Sequence, residues 1–179
     1  MFINIMNMLE NAFYHLTHFP LVDVKHIELA MNAEYQPPKP EVTQRSHRDW
    51  TATATFFNDS KLCKDMAAEF SECHGLYVRS FPMTMYNWHT DLGRNACINV
   101  LLVQPQGAIT CYKTRFNRLI DNIKICDYEL LRPTLFNTTL PHCVVNPTDQ
   151  YRYILTITAA KTRFEELKDW LLQYKPESF

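Results

Sequence analysis

A chain of 179 residues suits one domain and leaves little room for a second independent core. Hydrophobic residues make up 46% of it and charged residues 21%, a composition that excludes disorder as a global state. The 18 basic and 19 acidic residues leave a formal net charge of −1, so the chain lacks the basic balance typical of proteins that bind a nucleic-acid backbone. Its three glycines form no glycine-rich loop that would cradle a nucleotide.

The first residues indicate neither a secretory signal peptide nor a membrane anchor. They carry no basic n-region, and Glu10 interrupts the apolar stretch. No apolar run further along reaches the roughly 18 residues that a transmembrane helix needs. The six cysteines form no CxxC pair, which favours free thiols in a reducing compartment. We therefore predict a cytoplasmic protein without a membrane partner.

The chain begins with a segment that predicts a helix. Residues 1–18 carry apolar side chains at spacings of three and four, the pattern of an amphipathic helix. Consecutive prolines make residues 35–42 an extended connector, because proline cannot sit in a helix interior. Residues 50–56 alternate like a short strand.

Residues 59–75 predict a second helix. Asp59 or Ser60 can cap its first turn, and its apolar side chains share one face. Gly75 is expected to end it, since glycine accepts the left-handed conformation that closes many helices.

The character of the chain changes after Gly75. Eight short segments of β-type composition follow, separated by turn-like breaks rich in proline, glycine, asparagine and aspartate. They cover residues 76–81, 83–90, 95–103, 108–113, 123–131, 134–139, 142–145 and 151–159. An amphipathic helix over 162–174 comes last. A run of strands with helices at its ends predicts an all-β sandwich or barrel braced by helices, rather than a parallel α/β sheet.

His89 and Asp91 stand one residue apart at the end of the predicted strand 83–90. Strand alternation would put Met85, Asn87 and His89 on one face, with Asp91 turning back toward the same side. An imidazole and a carboxylate placed this way are two neighbouring ligands for a divalent metal. The motif is short and carries little information alone, so a polar turn remains the other interpretation.

A second polar pair, His142 and Arg152, follows in the β region. The turn at 146–150 predicts an antiparallel hairpin that sets the two strands side by side, with Arg152 deeper in the barrel. Arg152 would share its strand face with Ile154, Thr156 and Thr158, whereas Tyr153, Leu155 and Ile157 would take the other face. A lone arginine aimed into a barrel is costly unless it meets an anion, and its fork suits a carboxylate.

Together these residues predict an iron site. Two histidines and one carboxylate on one side of a metal leave open positions, the arrangement of non-heme Fe(II) oxygenases. Arg152 could then bind the far carboxylate of a keto acid held by that metal. The plainer interpretation makes the histidines ordinary hairpin residues and Arg152 a surface cation.

On the motifs HTD at 89–91 and LPHCVVNPTDQYRYILTI at 140–157, with ten residues from His142 to Arg152, the chain resembles the 2-oxoglutarate and Fe(II)-dependent dioxygenases. The eight strands over 77–160 match the order of their double-stranded β-helix (jelly-roll, cupin-like) core. The resemblance implies His89, Asp91 and His142 as iron ligands and Arg152 as the 2-oxoglutarate anchor. Compact members related to aspartyl/asparaginyl β-hydroxylases are the most similar branch.

The resemblance also implies a domain plan and a reaction. Residues 1–179 would form one oxygenase-like domain, with a helix-rich support over 1–75, the jelly-roll core over 76–160 and a C-terminal helix over 161–179. Fe(II), 2-oxoglutarate and O2 would be the cofactor and co-substrates. Oxidative decarboxylation of 2-oxoglutarate would be coupled to hydroxylation of a C–H bond.

A second group of residues has open roles. Asn99 is polar in an otherwise apolar strand, so it either faces the cofactor or is a hydrogen-bonded core amide. Tyr112, Thr110 and Arg94 could line the mouth of the site, although for Tyr112 and Thr110 we predict packing. Arg94, in the loop after the metal motif, could meet substrate or cofactor, but we predict a solvated loop position. Asn87 could line the mouth of the site.

Three functions compete at this point. The first is a hydroxylase that acts on an amino-acid side chain within a peptide or protein, or on a small molecule. The second is a nucleic-acid oxidative demethylase of the same superfamily, against which the balanced charge argues. The third is a jelly-roll binding protein without catalysis. The sequence does not predict the oligomeric state.

Overall fold

The computed structural model describes residues 9–35, 52–57, 60–70, 72–116 and 119–176. Its strands are β1 (Phe13–His15), β2 (Ala52–Phe57), β3 (Cys73–Ser80), β4 (Thr84–His89), β5 (Ala96–Val103), β6 (Ile109–Phe116), β7 (Leu119–Ile125), β8 (Pro133–Asn137), β9 (His142–Asn146) and β10 (Arg152–Ala159). Its helices are α1 (Lys25–Asn32), α2 (Lys61–Phe70) and α3 (Phe164–Gln173). The predicted connector at 35–42 lies outside the described residues beyond Tyr35.

Two antiparallel sheets form the body of the described chain. The larger has six strands in the order β1-β8-β5-β10-β3-β2, and the smaller has four in the order β4-β9-β6-β7. Strands adjacent in sequence mostly alternate between the sheets, as in a jelly roll. The predicted mainly-β jelly-roll class is therefore confirmed, and seven of the eight strands predicted after residue 75 are present. The strand predicted over 123–131 is wrong in most of its length, because β7 begins at Leu119 and ends at Ile125.

The helices cover the outer face of the larger sheet. Ile98 of β5 and Ile157 of β10 are fully buried against Leu62 of α2 and Leu167 of α3. Burying one such side chain contributes about 1.5–3 kcal/mol. Because strand side chains alternate, the neighbours of these outward residues point between the sheets, where the functional side chains lie. In the part of the chain that is described, no helix combines the length and apolar surface that a membrane crossing requires.

The helix predicted over 1–18 is wrong in its described part. From Leu9 onward the chain makes a turn and then β1, which pairs with β8. The apolar spacing gave a wrong prediction because these side chains pack into two different hydrophobic clusters. Phe13 packs in the cluster of Tyr112, whereas Leu16 packs in the cluster of the helices. Helix α1 has no counterpart among the predicted elements.

The helix predicted over 59–75 is present but ends earlier. It stops at Phe70, and Gly75 lies within β3, opposite Ile157 of β10 and Phe57 of β2. Pairing on both sides holds Gly75 in the sheet, so glycine is here a strand residue rather than a helix end. The start of the helix agrees with the prediction, since the backbone N–H of Cys63 donates to the Ser60 hydroxyl oxygen at 3.0 Å.

Ser60→Ala should lower the free energy of unfolding by about 1 kcal/mol, because the first turn of α2 loses the acceptor for one of its free N–H groups. Urea denaturation of the two proteins measures the difference. Ser60→Asp retains an acceptor and should recover most of the loss. An unchanged midpoint for Ser60→Ala would contradict the capping role.

Candidate metal centre and co-substrate pocket

A bulge at the end of β4 brings His89 to the inner side of the barrel. Tyr86 lies opposite Val144, and His89 lies opposite His142. The chain therefore advances three residues on β4 where it advances only two on β9. The extra residue turns His89 to the same side as Tyr86, and their ring centroids are 3.9 Å apart. The predicted common face of Met85, Asn87 and His89 is therefore wrong, since regular alternation does not anticipate a bulge.

Three potential ligand atoms converge between the ends of β4 and β9. One side-chain donor atom each from His89, Asp91 and His142 lies within 4.8 Å of the others, a spacing that one metal ion could span. Nδ1–H of His89 donates to the Asn87 carbonyl at 2.6 Å, and Nδ1–H of His142 donates to the Leu140 carbonyl at 2.9 Å. Both Nε2 atoms are thereby left as the lone-pair donors, the tautomer that a metal ligand requires.

Burial sets the charge of His142. The side chain is almost inaccessible, and this burial lowers the pKa of its imidazole below the ordinary value. The ring packs beside Tyr112 and Phe136. A neutral imidazole at neutral pH is the state that binds a metal.

Asp91 is held from both its backbone and its carboxylate. Its N–H donates to the Thr138 carbonyl at 3.1 Å. Oδ1 lies 3.7 Å from Nε2 of His89, whereas Oδ2 accepts a hydrogen bond from Nε of Arg94 at 2.8 Å and forms an ion pair with Nη2 of Arg94 at 2.6 Å. The solvated position predicted for Arg94 is wrong, because the chain turns back at Gly93 and directs the guanidinium onto Asp91.

The hairpin predicted between His142 and Arg152 is also wrong. Strand β9 pairs with β4 and β6 in the smaller sheet, whereas β10 pairs with β3 and β5 in the larger one. The segment between them crosses from one sheet to the other, and Asn146 stabilises it by donating to the Phe81 and Gln150 carbonyls. Arg152 and His142 therefore belong to opposite sheets instead of neighbouring strands of one sheet.

The two faces predicted for β10 are confirmed. Arg152, Ile154 and Thr156 line the space between the sheets, while Tyr153 and Leu155 pack in the outer core. Only 1% of the Arg152 surface is accessible.

Arg152 has neutral polar partners. It donates to the Thr110 hydroxyl at 2.9 Å and to the Gln104 amide oxygen at 3.3 Å, and its guanidinium lies 5.5 Å from the centre of the Tyr128 ring. No carboxylate among the described residues lies within ion-pair distance of it. Burial lowers the pKa of the guanidinium, which reflects the cost of this uncompensated charge. An anionic ligand would offset that cost.

Asn99 and Tyr128 complete the wall beside Arg152. Asn99 lines the cavity between the sheets, as a residue facing the cofactor would. Its Nδ2 also donates to the Tyr128 hydroxyl at 3.2 Å, as a hydrogen-bonded core amide would. Tyr128 is the residue that the sequence did not reveal, because it lies beyond the end of β7 in what was predicted as strand 123–131. Burial raises the pKa of Tyr128, so its hydroxyl stays protonated.

The packing role predicted for both Thr110 and Tyr112 fits Tyr112 better than Thr110. The packing predicted for Tyr112 agrees with its complete burial near Phe13 and Phe136. The packing predicted for Thr110 is incomplete, since its hydroxyl accepts the hydrogen bond from Arg152.

One cavity of about 390 Å³ lies between the two sheets and is lined by most of these side chains, although not by Asp91 or Tyr112. His89 and His142 line one end, Arg152 and Thr110 line another part, and apolar side chains fill most of the remaining wall. Such a cavity, mostly apolar with a few convergent polar groups, is typical of a small-molecule site. Its chemistry suits a metal ion with an anionic ligand between the metal and Arg152.

Comparison with known proteins agrees with this fold. No family model matches the chain, and no curated protein matches it in sequence. Among solved structures, the chain is similar to a prolyl-4-hydroxylase from Pseudomonas putida, with a TM-score of 0.57, 14% identity, and coverage of 88% of this chain and 97% of that one. It is also similar to an oxidoreductase of the 2OG-Fe(II) oxygenase family from Burkholderia pseudomallei, with a TM-score of 0.58, 10% identity and 89% coverage of each chain.

A third similar structure is a prolyl hydroxylase from Trichoplax adhaerens, solved with a peptide fragment of the hypoxia inducible factor oxygen degradation domain. Its TM-score is 0.56 at 14% identity, and the match covers 95% of this chain and 90% of that one. At 10–14% identity these likenesses show the fold. The chain therefore has the fold of 2-oxoglutarate and Fe(II)-dependent oxygenases.

Proposed function

We propose that this protein is an Fe(II)- and 2-oxoglutarate-dependent dioxygenase that hydroxylates a C–H bond, with an amino-acid side chain as substrate. The observation that carries the proposal is a single cavity lined by both histidines of a His-Asp-His cluster and by a buried arginine without a carboxylate partner. The cluster alone would suit several metal sites, and the arginine alone would suit several anions. A metal and a dicarboxylate bound together account for both.

His89, Asp91 and His142 would hold the metal. Two imidazole Nε2 atoms and one carboxylate oxygen are a donor set suited to Fe(II), and their approach from one side leaves positions open. Bound Fe(II) would supply the O2 activation that couples decarboxylation of 2-oxoglutarate, to succinate and CO2, with substrate hydroxylation.

Arg152 would bind the carboxylate of 2-oxoglutarate that lies away from the metal. Its guanidinium suits a carboxylate in charge and planar shape, and Thr110 fixes one edge of it. Tyr128 stacks near the guanidinium, and Asn99 hydrogen-bonds Tyr128. These residues orient the co-substrate and exclude water from its charged end.

Two features bear on the proposed substrate. The similar Trichoplax enzyme was solved with a peptide, and the part of the wall formed by Leu76, Val78 and Ile154 is apolar. These features favour a substrate with an uncharged amino-acid side chain, which belongs to a peptide, a protein or a free amino acid. The particular similarity to aspartyl/asparaginyl β-hydroxylases, the division into one domain with a support and a core, and the cytoplasmic location remain predictions.

Anaerobic addition of Fe(II) and 2-oxoglutarate to the protein tests this function. We expect a visible metal-to-ligand charge-transfer band, because the keto acid and the metal would be joined in one chromophore. Fe(II) with succinate, which lacks the keto group, is the matched control and should give no band. Succinate release from 2-oxoglutarate on admission of O2 should follow. A protein that gives neither band nor succinate would contradict the catalytic proposal.

A further inference from the structure

Arg94 makes contacts that a loop arginine would not need for folding alone. Its Nε donates to Oδ2 of Asp91 at 2.8 Å, and its Nη2 forms an ion pair with the same oxygen at 2.6 Å. Nη1 lies 3.4 Å from the Thr158 hydroxyl oxygen, on the inner strand β10. The guanidinium also lines the cavity that contains the two histidines.

The consequence for Asp91 is a division between its two oxygen atoms. Oδ2 is engaged by Arg94, whereas Oδ1 lies on the side of His89, 3.7 Å from its Nε2. A carboxylate can bind a metal through one oxygen or through both. Here Oδ1 is the oxygen placed as a ligand, because Oδ2 already accepts a charge-assisted hydrogen bond from Nε of Arg94 and forms an ion pair with its Nη2.

The backbone around Arg94 is fixed as well. Gly93 has φ +78°, which lets the chain reverse within three residues and return Arg94 to Asp91. Thr138 ties both ends of this turn: its hydroxyl donates to the Arg94 carbonyl at 2.6 Å, its carbonyl accepts from Asp91 N–H at 3.1 Å, and its N–H donates to the Asn95 carbonyl at 3.1 Å. Thr138 lies four residues before His142, so the same contacts relate the two parts of the metal cluster.

We infer that Arg94 is a positioning residue that holds Asp91 as a one-oxygen metal ligand and keeps the remaining coordination positions free for co-substrate. This inference rests on the proposed metal site. Through Oδ2, Arg94 limits the rotation of the carboxylate and prevents its second oxygen from occupying a further position on the metal. Groups that hold metal ligands in this way typically change metal affinity by about 10–100-fold.

The test measures metal binding alone, without 2-oxoglutarate or turnover. Apo protein is titrated with Co(II), whose visible absorption reports both the dissociation constant and the number of ligands. Arg94→Gln should weaken Co(II) binding by about 10–100-fold and change the absorption band, because the freed carboxylate can then bind through two oxygens. Arg94→Lys, which offers one donor group in place of a fork, should lie between the two proteins.

Arg132 provides the matched control. It also forms an ion pair with a carboxylate three residues away, Glu129, at 3.1 Å, but neither residue lines the cavity. Arg132→Gln should leave Co(II) affinity and the absorption band unchanged.

Two outcomes would overturn the inference. One is an Arg94→Gln protein that binds Co(II) with wild-type affinity and spectrum, and the other is a loss no larger than that of Arg132→Gln. If Arg94→Gln does not fold, Arg94→Lys decides, since wild-type affinity and spectrum in that variant would likewise overturn it. If the proposed oxygenase reaction fails while Co(II) binding depends on Arg94, the positioning role stands and only the assigned reaction falls.

Discussion

His89→Ala should abolish the charge-transfer band and the release of succinate, and should weaken Fe(II) binding by more than about 100-fold. Loss of a partner that only orients a ligand already costs about 10–100-fold, and His89 would itself be a ligand. Its Nε2 lies in the cluster with Asp91 and His142, and no other described histidine or carboxylate forms part of that cluster. His142→Ala should have the same effect, because both imidazoles present their Nε2 atoms to the same point.

The matched control for this prediction is His18→Ala. His18 is exposed, and its Nε2 hydrogen-bonds the Leu171 carbonyl at 2.9 Å, away from the cavity. It should retain the band and full turnover. Isothermal titration with Fe(II) under nitrogen gives the affinities. A charge-transfer band that survives in His89→Ala would refute the assigned ligands even if the enzyme is an oxygenase.

Arg152→Met should weaken 2-oxoglutarate binding by at least about 30-fold while leaving Fe(II) affinity nearly unchanged. Removing one member of a buried charge pair costs about 2–5 kcal/mol, and the variant could no longer pair with the far carboxylate. Methionine fills much of the same volume without charge. Titration of the charge-transfer band against 2-oxoglutarate measures the effect separately from metal binding.

The stability of the same variant distinguishes a ligand-binding arginine from a structural one. In the protein without ligand, Arg152 is a buried charge with neutral partners, so Arg152→Met should unfold at a temperature no lower than that of wild type. With Fe(II) present, 2-oxoglutarate at 100 times its dissociation constant should raise the free energy of unfolding of wild type by about 2.7 kcal/mol. The same concentration should stabilise the variant far less. Arg163→Met is the control, because that side chain is 83% exposed. A large loss of stability in Arg152→Met without ligand would indicate a structural role instead.

The pairing of a metal cluster with a buried arginine also accounts for a charged residue in the interior of this barrel. Selection for packing alone would favour an apolar residue at position 152, since a charge without a counter-ion opposes folding. The cost is acceptable where a ligand supplies the missing anion. The same reasoning applies to Asn99, whose amide joins Tyr128 beside the guanidinium instead of completing an apolar strand.

Much of the fold followed from local patterns. Seven of the eight β segments predicted after residue 75, the final helix and the Ser60 cap depend on alternation, helical spacing and short-range hydrogen bonding, which neighbouring residues determine. The assignment of Arg152 and Leu155 to opposite faces of β10 follows from the same alternation. The failures at 1–18 and at Gly75 have one cause: pairing with distant strands overrode the local preference.

The sequence by itself determined which residue types were present for the chemistry, because HTD, a later histidine and an arginine ten residues beyond it are visible without any structure. Only the tertiary structure decided how they meet. The bulge that turns His89 inward, the crossing that sets Arg152 and His142 in opposite sheets, and the contacts of Arg94 with Asp91 and Tyr128 with Asn99 all depend on the packing of two sheets. Strand periodicity predicts the face of a side chain within its own strand, but it carries no information about which strand lies across the barrel.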